Sequence, residues 1–327
     1  IFLLQKREEN ELAALINVGN TRVLMNPNGA SEPIAPNRMM IILVALVLGC
    51  GIPFAYYFLI KVLDRSIKTK ADLGHLTVPF LAEIPLHLAK GKHDGISRII
   101  VEPGKRDMMN EAYRVLRTNV DMMLGKSDKS RVIMLTSFNP GAGKTFTIMN
   151  MAASMALKGS KVLLIDLDLR KASLSKALDL NHSGVATYLN GKVDDYRPYA
   201  DQVSENLYVL PVGTLPPNPT ELLLTQKFRD MLEQMRKEYD YVFIDCPPID
   251  IIADANIVTE FVDMTVLVMR SNLMNKDVLP VIEELYHSGK FSHMALILNG
   301  VELKFRKYGY GRSGYGYGYG YANDDEE

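Results

Sequence analysis

The stretch SFNPGAGKT, Ser137 to Thr145, joins an apolar run to a segment of helical composition. A loop of this kind offers backbone N–H groups as a nest for phosphate oxygens, and the helix N-terminus behind it adds partial positive charge. Lys144 suits the terminal phosphates and Thr145 carries a hydroxyl for Mg²⁺, while Gly141 and Gly143 let the backbone approach an anion closely. Gly141, Ala142, Gly143, Lys144, Thr145 and Phe146 are therefore the candidate nucleotide contacts. The strict pattern G-x-x-x-x-G-K-[ST] is not met, because Phe138 occupies the place of its first glycine. A bare GKT arises often by chance; an apolar strand before it and a helix after it give it weight.

Carboxylates recur in matching positions. LLIDLDLR ends one apolar run with Asp166 and Asp168, two residues apart and so on one face of extended chain. VFIDCPP ends another with Asp245, where an aspartate can hold Mg²⁺ directly or through water. Taken singly, each is as readily a turn or cap residue. Their common placement behind a GKT loop favours chemistry, since ligands of open parallel sheets sit beyond the carboxyl ends of the strands. Arg170 can face a phosphate or close a structural ion pair. The chain finishes YGYGRSGYGYGYGYANDDEE, with Tyr308, Tyr310, Tyr315, Tyr317, Tyr319 and Tyr321 separated largely by single glycines. This composition cannot bury enough apolar surface to order itself.

The elements that must position these groups are legible as alternating patterns. MMNEAYRVLRTNVDMML (108–124) has helical periodicity, RVIMLTS (131–137) reads as a strand and 144–158 as a helix closed by Gly159. Further apolar runs lie at 161–167, 206–212, 241–246, 264–269 and 294–299, with helical segments at 221–237 and 276–288. Continuous apolar strands with intervening helices imply a parallel sheet covered on both faces, an α/β doubly wound fold.

MMIILVALVLGCGIPFAYYFLI, Met39 to Ile60, breaks the globular pattern. It has 22 residues and no charge, against the ~20 needed to cross a hydrocarbon core of ~30 Å. Lys61, Arg65, Lys68 and Lys70 follow it and Arg38 precedes it, so the positive-inside bias puts the C-terminal side in the cytoplasm. The expected organisation is an extracytoplasmic end with a Pro-rich connector (1–38), a transmembrane helix (39–60), a cytoplasmic linker (61–107), a P-loop domain (108–307) and a tyrosine-rich tail (308–327). Ile1 stands first rather than Met, from which a missing N-terminal portion is expected. A net charge of -1 gives no reason to expect a nucleic-acid partner. Cys50 and Cys246 are too few for a disulfide framework or a zinc site.

SFNPGAGKT, LLIDLDLRK and VFIDCPP resemble the Walker A, Walker A′ and Walker B motifs of the bacterial tyrosine kinases, the autokinase modules of membrane polysaccharide co-polymerases. EAYRVLR matches that family's E-x-x-R-x-x-R motif at Glu111, Arg114 and Arg117, EPIAPN its juxtamembrane proline segment, and the tail its acceptor cluster. The resemblance covers essentially the whole chain. It implies a P-loop NTPase-type fold with ATP and Mg²⁺ as cofactors, Thr145, Asp168 and Asp245 at the metal, and Lys144, Asp166 and Asp168 in catalysis. Which of the two paired aspartates handles the acceptor proton stays open. It further implies the tail tyrosines as phospho-acceptors, Glu111, Arg114 and Arg117 in a ring-forming homo-oligomer, and inner-membrane residence beside a phosphotyrosine phosphatase and polysaccharide export machinery. The missing portion would be a first span and most of the extracytoplasmic domain. Ala142 departs from the Glu often found there.

Two other readings compete. Partition- or cell-division-type ATPases carry an early lysine in the loop, where this chain has Asn139, and they have no use for a membrane span or tyrosine tail. A chain-length scaffold with an inactive nucleotide domain has no need of Lys144, Thr145 and three placed aspartates.

Overall fold

The computed structural model describes residues 1–16, 29, 37–87, 98–125, 129–249 and 254–302. Two compact units divide at Asp64 and Arg65.

The first unit contains α1 (Phe2–Ile16) and α2 (Arg38–Leu63). The Asn37 side chain caps α2 by accepting from the Met39 N–H at 3.1 Å, satisfying one of the free donors at a helix start. α2 continues through Pro53, and none of its residues is buried among the described residues. It is long and apolar enough to cross a membrane.

The second unit is one sheet flanked by helices. Its strands are β1 (Phe80–Pro85), β2 (Arg131–Ser137), β3 (Val162–Asp166), β4 (Asp201–Ser204), β5 (Leu207–Leu210), β6 (Tyr241–Asp245), β7 (Met264–Arg270) and β8 (Ala295–Val301). Their order across the sheet is β1-β8-β7-β2-β6-β3-β5-β4. All pairs are parallel except the β4–β5 edge.

Strand β2 shows why such runs are apolar throughout. Val132 and Met134 pack on one face with Phe228, Met231 and Met235, whereas Ile133 and Leu135 pack on the other with Leu116, Ile148 and Met155. The first set comes from α8 (Gln226–Glu238), the second from α3 (Met108–Leu124) and α4 (Lys144–Ala156); the short helices α5 (Ser173–Ala177), α6 (Val185–Leu189) and α7 (Pro219–Leu223) come between α4 and α8 in the chain. Asp107 caps α3 through the Asn110 N–H (2.9 Å), and Thr225 caps α8 through the Phe228 N–H (3.3 Å).

Three elements differ from the sequence reading. Inside the stretch read as a linker (61–107), β1 forms the sheet's outer parallel strand against β8. Parallel pairing joins segments distant in sequence, so periodicity in a six-residue run does not reveal it. Ile67 in the same stretch is fully buried, and its N–H donates to the Met274 carbonyl (2.8 Å). The helix expected at 221–237 is two, α7 (Pro219–Leu223) and α8, parted where Thr225 turns extended to cap the second. β4 carries the half-exposed polar sequence DQVS, which has no apolar signature at all. The tail tyrosines lie outside the described residues.

Candidate active site

Strand β2 ends at Ser137 and α4 begins at Lys144, so the intervening loop lies at the carboxyl edge of the sheet. Gly141 and Gly143 adopt φ of +79° and +86°, a backbone region costly for any residue with a Cβ. Within the loop, Ser137 Oγ donates to the Asn139 carbonyl (2.7 Å), and Lys144 Nζ reaches back to Ser137 Oγ (3.2 Å). Lys144 thus folds over the loop that its own helix follows. Ala142 is 1% exposed, so its side chain faces inward and not towards solvent. Phe146 stacks on His87, with ring centroids 6.0 Å apart.

Beside β2 lies β6, and beside β6 lies β3, which brings Asp245 and Asp166 into register at the ends of adjacent strands. Thr145 Oγ1 donates to Asp245 Oδ2 at 2.8 Å, linking two residues 100 apart in sequence. The other oxygen, Asp245 Oδ1, is buried without a hydrogen-bond partner among the described residues. Burial, and then the neighbouring Asp166 carboxylate, push the Asp245 carboxyl well above the ordinary range, against the opposing pull of Lys144 and Thr145.

Asp166 is also raised, by burial first and by Asp168 to a lesser degree. Its oxygens are taken up internally: Oδ2 accepts from Ser175 N–H (2.8 Å) and Oγ (2.7 Å), and Oδ1 from Asp168 N–H (3.1 Å). Asp168 accepts from Lys171 N–H and Ser173 Oγ, both at 3.0 Å, and retains 6% exposure against none for Asp166. Among the described residues no three carboxylate, His or Cys side chains are grouped to hold a metal. The orphaned Asp245 oxygen beside the Thr145 hydroxyl nevertheless offers two oxygen donors suited to a hard divalent cation whose other ligands are phosphate and water. The loop's amides and Lys144 suit a polyphosphate. The residues fit both groups.

Arg170 takes the structural alternative: its Nε faces Asp254 Oδ2 at 3.4 Å and its Nη2 donates to Thr220 Oγ1 at 3.3 Å. Asp254 is 1% exposed and also accepts from Thr220 Oγ1 (2.7 Å). On α3, Arg114 pairs with Glu111 and donates to the Lys105 carbonyl (2.9 Å). Arg117 leaves that stripe and donates to the Ser154 carbonyl of α4 at 2.7 Å. Residues of the site that sequence reasoning passed over include Ser137, Ser175 and Asp254. Asn299 carried one signal, a polar residue closing the apolar run MALILN.

The tyrosine-protein kinase CpsD of Streptococcus pneumoniae serotype 4 is 39% identical over 202 residues, which cover 61% of this chain and 87% of that protein. The chain belongs to the bacterial tyrosine-kinase family. Residues 130–285 match the model of the AAA domain, and residues 1–62 that of a G-rich domain associated with tyrosine kinases. The tyrosine-protein kinase etk of Escherichia coli is 27% identical over 318 residues, 91% of this chain and 43% of its own length. The tyrosine-protein kinase wzc of Salmonella typhi is 30% identical over 280 residues, 82% of this chain and 39% of its own. The chain therefore spans less than half the length of these two relatives. The solved kinase domain of the Escherichia coli enzyme ETK superposes with a TM-score of 0.64 at 28% identity, covering 77% of this chain and all of that domain. That superposition agrees with the doubly wound sheet expected from the apolar runs.

Proposed function

We propose that this chain is an ATP-dependent protein-tyrosine autokinase whose acceptors are its own tail tyrosines Tyr308, Tyr310, Tyr315, Tyr317, Tyr319 and Tyr321. The observation that carries this reading is the Thr145–Asp245 pair, with its orphaned buried oxygen, directly beneath a Lys144-bearing phosphate loop. Phosphoryl transfer asks for positioning and charge stabilisation more than covalent help from the protein. Bound ATP and Mg²⁺ supply the phosphoryl group and a counter-charge for it.

The chain's own residues do the rest. Lys144 and the loop amides hold the phosphates, while Thr145 and Asp245, with Asp168 beside them, hold the cation. Asp166, sealed by Ser175, positions the 166–168 turn. Asp168, the less buried of the pair, accepts or orients the phenol proton. A tyrosine of pKa about 10 is neutral at pH 7, so a carboxylate at its hydroxyl aids transfer.

Tethering gives the tail a high effective concentration at a site it can reach, in its own subunit or a neighbour's. We place transfer in trans, within a membrane-bound ring to which Glu111 and Arg114, both partly exposed, contribute with Arg117. Each phosphate adds about -1.5 to -2 charges, so six would add roughly -9 to -12 per subunit and oppose assembly. Assembly would then permit phosphorylation and phosphorylation would drive disassembly, gating polysaccharide polymerisation or export beside a cognate phosphatase. α2 anchors the chain in the inner membrane, with the sheet domain cytoplasmic.

Mass spectrometry of the C-terminal peptide tests the central step. Phosphotyrosine should appear in the parent and be lost in Lys144→Met; unmodified rings in the parent at high protein density with Mg·ATP would overturn the reading. Replacing all six tail tyrosines by Phe should abolish any ATP-driven fall in oligomer size.

A further inference from the structure

The flank of the phosphate loop away from the carboxylates is held by a side chain to which the proposed chemistry gives no part. Asn299 lies near the carboxyl end of β8, 2% exposed and in register with Arg270 of β7. Its backbone carbonyl accepts from the Ser271 N–H (2.9 Å), so its position is set by the neighbouring strand. Its side-chain Nδ2 donates to the Ala142 carbonyl at 2.9 Å, spanning 157 residues of sequence.

One glycine makes room for this contact, and a second for the arginine beside it. A Cβ on Gly143 would lie 2.2 Å from Asn299 Nδ2, so the amide fits only against a bare Cα. A Cβ on Gly300, at φ +72°, would lie 2.5 Å from Cζ of Arg270, whose Nη1 would also lie 3.8 Å from a Cβ on Gly143. The consequence follows from peptide geometry. The Ala142 carbonyl and the Gly143 N–H belong to one planar trans unit and point in opposite directions. Holding the carbonyl towards β8 turns the Gly143 N–H away from β8.

We propose that Asn299 is a positioning residue for phosphate binding, fixing the Ala142–Gly143 peptide so that the Gly143 N–H is presented to a polyphosphate before any ligand arrives. The inference rests on reading the loop as a triphosphate site, and it deepens that reading by naming what orders the loop. Without the amide, the peptide is free to rotate at a glycine that tolerates many conformations, and binding must then order it. Loss of one such organising hydrogen bond should weaken binding about tenfold.

The test is calorimetric titration of the parent, Asn299→Leu and Asn299→Ala with Mg·ATP and separately with Mg·tripolyphosphate. Asn299→Leu keeps nearly the same volume without the donor and adds no charge, so it carries the test if the Ala variant does not fold. The expected result is a loss of about tenfold or more that is equal for the two ligands, because the contact acts on phosphate alone. A purely structural role would lower the ligand-free melting midpoint and leave the affinity of the folded fraction unchanged. That outcome overturns the proposal. So does weakened ATP binding with unaltered tripolyphosphate binding, which would make Asn299 a nucleoside contact. A parent that binds neither ligand would sink the triphosphate reading itself, and the inference with it.

Discussion

The two flanks of strand β2 support the same loop by opposite means. Towards β6 and β3 stand Asp245, Asp166 and Asp168, buried and mutually repelling, with Asp245 and Asp166 both pushed towards protonation by burial. Towards β7 and β8 the loop meets a neutral amide and bare glycine backbone, held by Asn299 and fitted around Arg270. The carboxylate flank is electrostatically unfavourable in isolation, and a cation bound there would relieve it. Among the described residues the other flank carries no carboxylate; the Arg270 guanidinium lies in it, and the Asn299 amide joins it to the loop by a hydrogen bond to the Ala142 carbonyl. The proposed chemistry and the proposed positioning therefore fall on opposite sides of one strand, so a substitution on one side tests its role without touching the other.

The largest expected effect is on the carboxylate flank. Lys144→Met should lower phosphotyrosine formation at least about a hundredfold, by radiolabel transfer from ATP. Asp245→Asn should separate stability from activity. It removes a buried carboxylate with an orphaned oxygen, so the nucleotide-free melting midpoint should rise, by roughly 2–4 °C for each kcal/mol relieved. Transfer should nevertheless be lost, and Mg²⁺ should stabilise the variant less than the parent. A fall in its midpoint would mean that the carboxylate flank is not strained.

Smaller effects should come from supports flanking the site. Asp254→Ala removes the partner of both Arg170 and Thr220, and should cost about 1–3 kcal/mol in denaturant unfolding with only modest change in transfer. If transfer falls as far as in Lys144→Met, Arg170 acts on substrate and not only as a strut.

The smallest effect lies further away, at Asp72. Burial alone would raise this carboxyl, but hydrogen bonds from Lys276 and the Lys68 and Thr69 amides outweigh it and hold the folded value below normal. Its stabilisation is therefore full above the unfolded pKa of about 3.9 and fades as pH falls through the lower folded value. Asp72→Asn should melt slightly below the parent at pH 7 and together with it once acid has protonated both states. A constant gap across that window would refute the ion pair as the cause.

Much of this division was legible in residues a few places apart. SFNPGAGKT, the Asp166–Asp168 spacing and Asp245 at a strand end are local patterns, and their meaning depends on backbone geometry over one turn or one strand. Apolar runs announced the buried parallel strands because both faces of such strands are covered, and the uncharged run at 39–60 announced α2 for the same reason of composition. The domain unit, by contrast, begins at Arg65 rather than beyond a linker, because Ile67 and β1 find their partners some two hundred residues onward.

Sequence by itself determined the kind of fold, the phosphate loop and the residue types that face it. Only the tertiary structure decided that Arg170 is tied to Asp254, that Ser175 seals Asp166, that Asp245 keeps one oxygen without a partner among the described residues, and that Asn299 grips the loop. The physical reason is range. A motif is specified by neighbours along the chain, but contacts such as Thr145 to Asp245, Arg170 to Asp254 and Asn299 to Ala142 join segments whose adjacency appears only when the sheet closes.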